Sequence, residues 1–311
     1  MLAPSFGVGA EFDAIAAIVD RLGPRATGIG DDGAIIQVPR GDRVVASTDA
    51  TVEGRHFRRD WLEPREIGYR ATVAALSDLA AMAARPIGIL TALGVPNHWI
   101  RELPEIADGI FDALAVAGTC ALGGNVSGAG ELSLTTTVIG HAFRPVCRSG
   151  AAAGDAIYVT GELGGPHCAL AAWRRGVWPE PVHRDRFARP VPRLAEARWL
   201  AERGVSAAID VSDGLVADLR HLLEASRVSA EIELSRIPVV EGASPIDGAI
   251  GGEEYEILVT GPADLSVGEF EATFDVRLTA IGRISSGSPD VLIRSNGSRV
   301  AVPSGYDHLS P

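Results

Sequence analysis

The sequence predicts two domains, an α+β domain over residues 1–145 and an α/β domain over residues 146–311. With 311 residues, the chain is longer than one small hydrophobic core requires, although a single large domain would also accommodate it. Its 46% hydrophobic and 22% charged residues are typical of a globular protein. Helical and strand-like apolar patterns alternate along both halves of the chain. The stretch from Arg144 to Gly154 is where the chain is predicted to cross from the first domain to the second.

In the N-terminal half, apolar residues spaced three and four apart predict a helix from Phe12 to Leu22. Two short apolar runs, 34–38 and 44–47, flank turn-forming residues and predict a β-hairpin. A proline start and an alanine-rich run predict a closely packed helix over 64–84. Further elements are predicted at 87–95 (strand), 103–117 (helix) and 132–139 (strand).

The C-terminal half opens with a predicted strand, 156–160, followed by a glycine-rich loop over 161–165 and a helix through Trp173. The loop suits either phosphate binding or a plain tight turn, and we favour the turn. A polar, proline-bearing stretch follows over 174–192. Later elements are predicted at 207–211 (strand), from Leu215 onward (helix), and at 257–260 and 278–284 (strands).

Composition excludes several classes of function. A formal charge of -12 without a basic block disfavours nucleic-acid and anionic-membrane binding. No apolar run reaches the roughly 20 residues of a membrane span, and the N-terminus lacks the features of a signal peptide, so a cytoplasmic location is expected. All 28 basic residues are arginine, which excludes lysine-dependent phosphate loops and Schiff-base chemistry.

Acidic residues beside glycines and at the ends of apolar runs are the most informative feature. A strand end or helix start presents side chains and free N–H groups to a crevice, which is where α/β proteins hold phosphates and metals. Each acid taken alone is better explained as a turn or helix cap. The clusters are Gly30-Asp31-Asp32, Ser47-Thr48-Asp49, Ser77-Asp78, Asp210-Val211-Ser212-Asp213-Gly214 and Gly251-Gly252-Glu253-Glu254.

Asp78 is the sharpest single case, because apolar residues surround it in a predicted helix. A buried, unpaired carboxylate there would cost several kcal/mol. A bound cation would explain an acid at this position. The alternative explanation is that Asp78 lies on an exposed helix face or forms a salt bridge with Arg85. Taken together, the acidic clusters favour oxygen-ligated divalent cations such as Mg²⁺, and phosphoryl transfer is a reaction that needs them. Near the second cluster, His56 is either a functional side chain or an exposed loop residue.

The ordered set of motifs resembles the thiamine-monophosphate kinases over nearly the whole chain. These enzymes belong to a superfamily that includes aminoimidazole ribonucleotide synthetase, selenophosphate synthetase and the hydrogenase maturation dehydratase. The resemblance rests on Glu11-Phe12, Gly28-Ile29-Gly30-Asp31-Asp32, Ser47-Thr48-Asp49, Glu53-Gly54-Arg55-His56-Phe57, Leu76-Ser77-Asp78-Leu79-Ala80-Ala81-Met82, Gly123-Gly124-Asn125, Arg148-Ser149-Gly150, Asp210-Val211-Ser212-Asp213-Gly214-Leu215, Gly251-Gly252-Glu253-Glu254-Tyr255-Glu256 and Gly305-Tyr306.

This resemblance implies a homodimer whose N-terminal domains, which bind ATP and metal, contribute strands to a shared barrel, while the C-terminal domain completes the cleft. It also implies transfer of the ATP γ-phosphate to thiamine monophosphate. The implied Mg²⁺ ligands are Asp31, Ser47, Thr48, Asp49, Asp78, Asp210 and Asp213, of which Asp78, Asp210 and Asp213 are the expected catalytic residues. The implied ATP contacts are Gly124, Asn125, Arg148 and Ser212, and the implied substrate contacts are His56, Glu253 and Tyr306.

Three positions depart from the family pattern. Asn125 replaces the aspartate of Gly-Gly-Asp, Ala75 replaces an asparagine, and Tyr306 stands where tryptophan is usual. An amide ligand carries less charge than a carboxylate, so we expect weaker metal binding. Two alternative functions follow: a related ATP-dependent enzyme that phosphorylates an amide oxygen, or a catalytically weakened nucleotide-binding homologue.

Overall fold

A computed structural model describes residues 10–26 and 34–302 of the chain. The chain divides into two compact units. One comprises the described residues up to Leu79 together with Ala84–Arg144, and the other comprises Ala80–Ala83 and the described residues from Pro145 onward. No helix within the described ranges is both long and apolar enough to cross a membrane.

The N-terminal unit is α+β, as predicted. Its four-stranded sheet has the order β1-β4-β2-β3, in which the β2–β3 pair is parallel and the others are antiparallel. Its helices are α1 (Ala10–Leu22), α2 (Pro64–Ala81) and α3 (Leu103–Ala117), and its strands are β1 (Arg43–Val52), β2 (Arg85–Val95), β3 (Ala121–Gly128) and β4 (Ser133–Ala142).

Two N-terminal predictions were wrong in detail. Residues 34–38 form no strand, and Ile35 is 92% exposed, so the expected hairpin is absent. The apolar run alone predicted a strand, but a strand also needs a hydrogen-bonding partner. Helix α2 ends at Ala81 rather than residue 84, because the backbone at Ala83 turns to a φ of 51°.

Strand β3 was not predicted, because its paired glycines have weak strand propensity. It forms by parallel pairing with β2, where Gly124 lies opposite Thr91. A methyl group on Gly124 would lie 2.2 Å from the carbonyl oxygen of Thr91. The approach of these strands therefore requires glycine, and it places Asn125 next to this contact.

The C-terminal unit is built on a seven-stranded sheet with the order β11-β10-β7-β9-β5-β8-β6. Its strands are β5 (Ala156–Thr160), β6 (Ala207–Asp210), β7 (Ser229–Glu233), β8 (Ile257–Gly261), β9 (Leu278–Ser285), β10 (Val291–Ser295) and β11 (Ser298–Arg299). Its helices are α4 (Gly165–Arg174), α5 (Pro181–Ala188), α6 (Leu194–Glu202), α7 (Leu215–Ser226), α8 (Pro245–Ile250) and α9 (Val267–Phe274).

This unit is α+β, and not the α/β domain that the sequence predicted. Among the strand pairs of the sheet in the described residues, only β7 with β10 is parallel. Strand β8 lies between β5 and β6 and is antiparallel to both. The alternation of strands and helices did not disclose this arrangement, because β8 joins its neighbours from far along the chain.

The core of the C-terminal unit lies between its sheet and α7. Leu215, Leu219, Leu222 and Leu223 of α7 are buried with apolar residues of the sheet in one cluster. The predicted apolar stripe of α7 is therefore the core-facing side of the helix. Its packing fixes the start of α7, where the loop from β6 brings in Asp210 and Asp213.

Candidate active site

In the N-terminal unit, Asp78 of α2 contacts Ser47 of β1. The Ser47 hydroxyl donates a hydrogen bond to Asp78 Oδ2 over 2.6 Å. Asp78 is half-buried, whereas its neighbours Leu76 and Leu79 are fully buried. The structure thus gives this carboxylate a polar partner, and it joins two residues that are 31 positions apart in the sequence.

The alternation of side chains along β1 separates the three predicted ligands of this strand. Ser47 and Asp49 are two residues apart and half-buried, so they share one face of the strand. Thr48 lies on the opposite face, where the Thr137 hydroxyl donates to Thr48 Oγ1 over 3.1 Å. Ser47, Asp49 and Asp78 can therefore present side-chain oxygens on one face, whereas the side chain of Thr48 lies on the other.

His56 lies in the turn that follows β1, and its ring orientation is defined. The main-chain N–H of Val52 donates to His56 Nδ1 over 3.1 Å. In the neutral imidazole, this acceptor role leaves the proton on Nε2. The neighbouring Glu53 accepts from Trp99 Nε1 over 2.8 Å and anchors the same turn.

In the C-terminal unit, two acidic segments that are distant in sequence lie together. Asp210 ends β6 and is 5% exposed, and the following loop carries Ser212 and Asp213, both half-buried. Glu253 N–H donates to the carbonyl oxygen of Ser212 over 2.7 Å. The fourth and fifth predicted clusters therefore form a single backbone-paired structure.

The 251–256 segment is held in an unusual backbone conformation. Glu253 and Tyr255 have φ values of 67° and 54°, in a region that non-glycine residues rarely adopt. A methyl group on Gly252 would lie 2.3 Å from the Ser212 carbonyl oxygen. Strained backbone of this kind is found at functional sites, where surrounding contacts maintain it.

Sequence analysis missed Asp218, which organises the loop before α7. Its Oδ2 accepts hydrogen bonds from the N–H groups of Ser212, Asp213 and Gly214, over 3.0, 3.1 and 3.1 Å. Burial, together with the nearby carboxylates of Asp210 and Asp213, raises the pKa of Asp218 to about 8, although the hydrogen bonds from the Ser212 and Asp213 N–H groups act in the opposite direction. An acid in the first turn of a helix was the available signal.

A buried ion pair between Arg193 and Glu256, the last residue of the 251–256 segment, was also not predicted from the sequence. Arg193 donates from Nε and Nη2 to the two carboxylate oxygens of Glu256, each over 2.7 Å, and Thr160 Oγ1 donates to the same carboxylate over 2.7 Å. Burial alone would raise the pKa of Glu256, but Arg193, Arg186 and Thr160 lower it below its ordinary value. No local pattern in the sequence links Arg193 to Glu256.

The glycine-rich loop that precedes α4 is a turn with an internal carboxylate partner. Gly161 and Gly164 have φ values of 64° and 92°. The N–H of Gly164 donates to Glu254 Oε1 over 2.6 Å. This N–H group is therefore already paired with a side chain of the 251–256 segment.

Comparisons with known proteins cover both units. The family model for the N-terminal domain of AIR synthase related protein matches residues 30–142, and the model for its C-terminal domain matches residues 152–294. The thiamine-monophosphate kinase of Salmonella typhimurium is 33% identical over 96% of this chain and 98% of its own length. The chain belongs to the thiamine-monophosphate kinase family. The enzyme of Mycobacterium tuberculosis is also 33% identical, over 89% of this chain and 86% of its own.

Solved structures of the family share the fold. The thiamine-monophosphate kinase of Stenotrophomonas maltophilia superposes with a TM-score of 0.83 at 30% identity, covering 91% of this chain and 97% of its own. AaThiL complexed with AMPPCP and TMP gives a TM-score of 0.77 at 28% identity, covering 98% of this chain and all of its own. The hydrogenase maturation protein HypE shows the same fold at 17% identity, with a TM-score of 0.78.

The predicted site residues are distributed over both units. Ser47, Thr48, Asp49, His56, Asp78, Gly124 and Asn125 belong to the N-terminal unit, and Arg148, Asp210, Ser212, Asp213 and Glu253 belong to the C-terminal unit. Asp31 and Tyr306 lie outside the described residues. Within 10–26 and 34–302, no group of three or more His, Cys, Asp or Glu side chains is placed to hold a metal ion.

Proposed function

We propose that this chain transfers the γ-phosphate of ATP to thiamine monophosphate, giving thiamine diphosphate and ADP. The observation that carries this proposal is the match of 33% identity across 96% of the chain to a thiamine-monophosphate kinase. A relative of the same fold was solved with AMPPCP and TMP, which identifies the two ligands that this family brings together.

The proposed reaction is an in-line displacement at phosphorus. An oxygen of the thiamine monophosphate phosphate attacks the γ-phosphorus of ATP and forms the new O–P bond. The bond from the γ-phosphorus to the β–γ bridging oxygen breaks, and its electrons leave with ADP. Because little covalent chemistry falls to the protein, positioning and charge neutralisation are its main contributions.

We propose Mg²⁺ as the cation that neutralises this charge. The available donors fit such a hard ion, since Ser47, Asp49 and Asp78 offer oxygen on one side of the N-terminal sheet and Asp210 and Asp213 follow β6. When bound, Mg²⁺ would supply charge stabilisation to the transferring phosphoryl group.

Roles for the remaining residues follow the family resemblance. We propose Gly124, Asn125, Arg148 and Ser212 as ATP contacts, and His56, Glu253 and Tyr306 as substrate contacts. His56 has the chemistry for a phosphate contact, because a neutral imidazole whose Nδ1 accepts from the Val52 N–H carries its proton on Nε2. The rigid backbone around Glu253 suits a residue that must hold one orientation toward a ligand.

We also propose that the chain acts as a cytoplasmic homodimer. The 1–145 domain would bind ATP and metal and contribute strands to a barrel shared with a second copy, and the 146–311 domain would complete the cleft. Strand β1 is compatible with this arrangement, because it is an edge strand whose Val44 is 59% exposed. Among the described residues, β1 has a neighbouring strand on one side only, and such an edge can accept a strand from a partner.

One assay tests the proposed function directly. Purified protein is incubated with Mg-ATP and thiamine monophosphate, and thiamine diphosphate and ADP are quantified together. We expect the two products in equal amounts and no turnover with magnesium omitted. Clear ATP binding without thiamine diphosphate would exclude the kinase and favour an enzyme that activates an amide-type substrate, or a weakened homologue.

Asn125→Asp is expected to maintain or increase kinase activity. Asn125 is exposed beside Gly124, where the resemblance places a carboxylate ligand, and a carboxylate adds a charge that Mg²⁺ prefers over an amide. We expect a lower Mg²⁺ concentration for half-maximal rate, measured at saturating ATP. Ser127→Asp, at another exposed position of β3, is the control that adds the same charge. A loss of activity in Asn125→Asp alone would mean that the site is built around the amide.

A further inference from the structure

The loop between β6 and α7 contains three successive main-chain N–H groups that converge on one oxygen atom. Ser212, Asp213 and Gly214 all donate to Asp218 Oδ2, over 3.0 to 3.1 Å. Asp218 is only 2% exposed, and it lies on the first turn of a 12-residue helix. The acceptor is therefore a fixed part of the interior and not a surface side chain that happens to bend back.

Successive N–H groups at a helix start are a common binding site for a phosphate group. In this chain a side chain of the same helix occupies that position. The loop before α4 has a similar arrangement, because the N–H of Gly164 donates to Glu254 Oε1 over 2.6 Å. In these two loops, the N–H groups of Gly164 and of residues 212–214 are thus engaged by internal carboxylates.

The hydrogen bonds to Asp218 also restrict the conformation of the loop that carries Ser212 and Asp213. Ser212 and Asp213 have their N–H groups directed to Asp218, while the carbonyl oxygen of Ser212 accepts from Glu253. Asp218 therefore holds the N–H groups of Ser212 and Asp213, and Glu253 holds the carbonyl group of Ser212. A loop fixed in this way presents the side chain of Asp213 in one orientation relative to Asp210.

We propose that Asp218 is a positioning residue, whose carboxyl group fills the N–H cluster of residues 212–214 and thereby fixes Asp210 and Asp213 as metal ligands. The inference rests on the proposed function for its assignment of Asp210 and Asp213 to a metal. It adds that the main-chain N–H groups at the start of α7 do not hold a phosphate of ATP, because Asp218 occupies them.

The test measures metal binding and needs no turnover. Mn²⁺, which replaces Mg²⁺ at oxygen sites, is titrated into the full chain with ATP and without thiamine monophosphate, and free Mn²⁺ is followed by electron paramagnetic resonance. Asp218→Ala removes the acceptor, Asp218→Asn retains one acceptor oxygen, and Leu222→Ala is the control. Leu222 is a fully buried residue of the same helix that belongs to the core.

We expect Asp218→Ala to weaken Mn²⁺ binding by about 10-fold or more, as is typical when a group that orients a metal ligand is lost. Asp218→Asn should retain most of the Mn²⁺ affinity. Leu222→Ala should lower the melting temperature and leave the Mn²⁺ affinity unchanged. Sodium formate, a carboxylate small enough for the vacated space, should restore Mn²⁺ binding to Asp218→Ala and not alter the control.

Three results would overturn the inference. Unchanged Mn²⁺ affinity in a folded Asp218→Ala variant would reduce Asp218 to a helix-stabilising residue, and the same would follow if Leu222→Ala weakened binding equally. Failure of the proposed function appears differently, as Mn²⁺ and ATP binding by the parent protein with no thiamine diphosphate formed. A parent protein that binds no Mn²⁺ would overturn the metal assignment and the inference with it.

Discussion

Asp78→Asn is expected to lower the rate of thiamine diphosphate formation by about 10³-fold, the scale reported for loss of a group that stabilises charge in the transition state. Asparagine has nearly the same size as aspartate and can still accept the hydrogen bond that Ser47 donates over 2.6 Å. The substitution therefore removes the negative charge and leaves the local packing in place. A metal held by this side chain would lose its charged ligand.

The measurement is kcat at saturating ATP over a range of Mg²⁺ concentrations, together with a thermal melt. Asp112→Asn is the matched control, because Asp112 forms a surface ion pair with Arg65 in the same unit, and such pairs contribute little to stability. We expect full activity in the control and similar melting temperatures in both variants. Unchanged turnover in Asp78→Asn would remove Asp78 from the metal site.

Local patterns predicted the elements that bury an apolar face. Helix α3 and strand β5 begin and end at the predicted residues, because the apolar stripe of α3 is the side that packs and β5 is a continuous apolar run that is buried along its length. The run over 34–38 was apolar as well, but it pairs with no strand among the described residues, and Ile35 is exposed. Pairing depends on other parts of the chain, which a local pattern does not contain.

The same limit applies to the candidate site. The sequence identified the acidic clusters because carboxylates recur beside glycines and at the ends of apolar runs, although each one alone is explained by a turn or a helix cap. It could not show that Glu253 hydrogen-bonds to Ser212, or that Arg193 reaches Glu256 across 63 positions. Residues that hold the ligands of a site in place are defined by their tertiary contacts. Their neighbours in the sequence do not indicate that role.

The largest expected effect on stability is that of Arg193→Leu. Glu256 is 3% exposed, and Arg193 contacts both of its carboxylate oxygens. Removing the guanidinium leaves a buried charge without its main partner, which typically costs about 3–5 kcal/mol in the free energy of unfolding. Because β8 follows Glu256 directly, we also expect the 251–256 segment to lose its fixed conformation and kinase activity to fall.

Denaturant unfolding at several pH values separates this mechanism from a loss of packing. In the parent protein the pKa of Glu256 is lowered, so its stabilising contribution is present at neutral pH and is lost as acid protonates it. In Arg193→Leu the carboxylate lacks the guanidinium, and protonation relieves its burial cost. The difference in unfolding free energy between the two proteins should therefore be largest near neutral pH and shrink as the pH falls.

A double variant and a surface control complete the experiment. Arg193→Leu combined with Glu256→Leu removes both charges, and it should recover part of the lost stability, because no unpaired ion remains in the interior. Arg277→Leu breaks an exposed pair with Glu162 and should cost less than about 1 kcal/mol. If Arg193→Leu cost no more than Arg277→Leu at neutral pH, the buried pair would not be what holds the 251–256 segment in place.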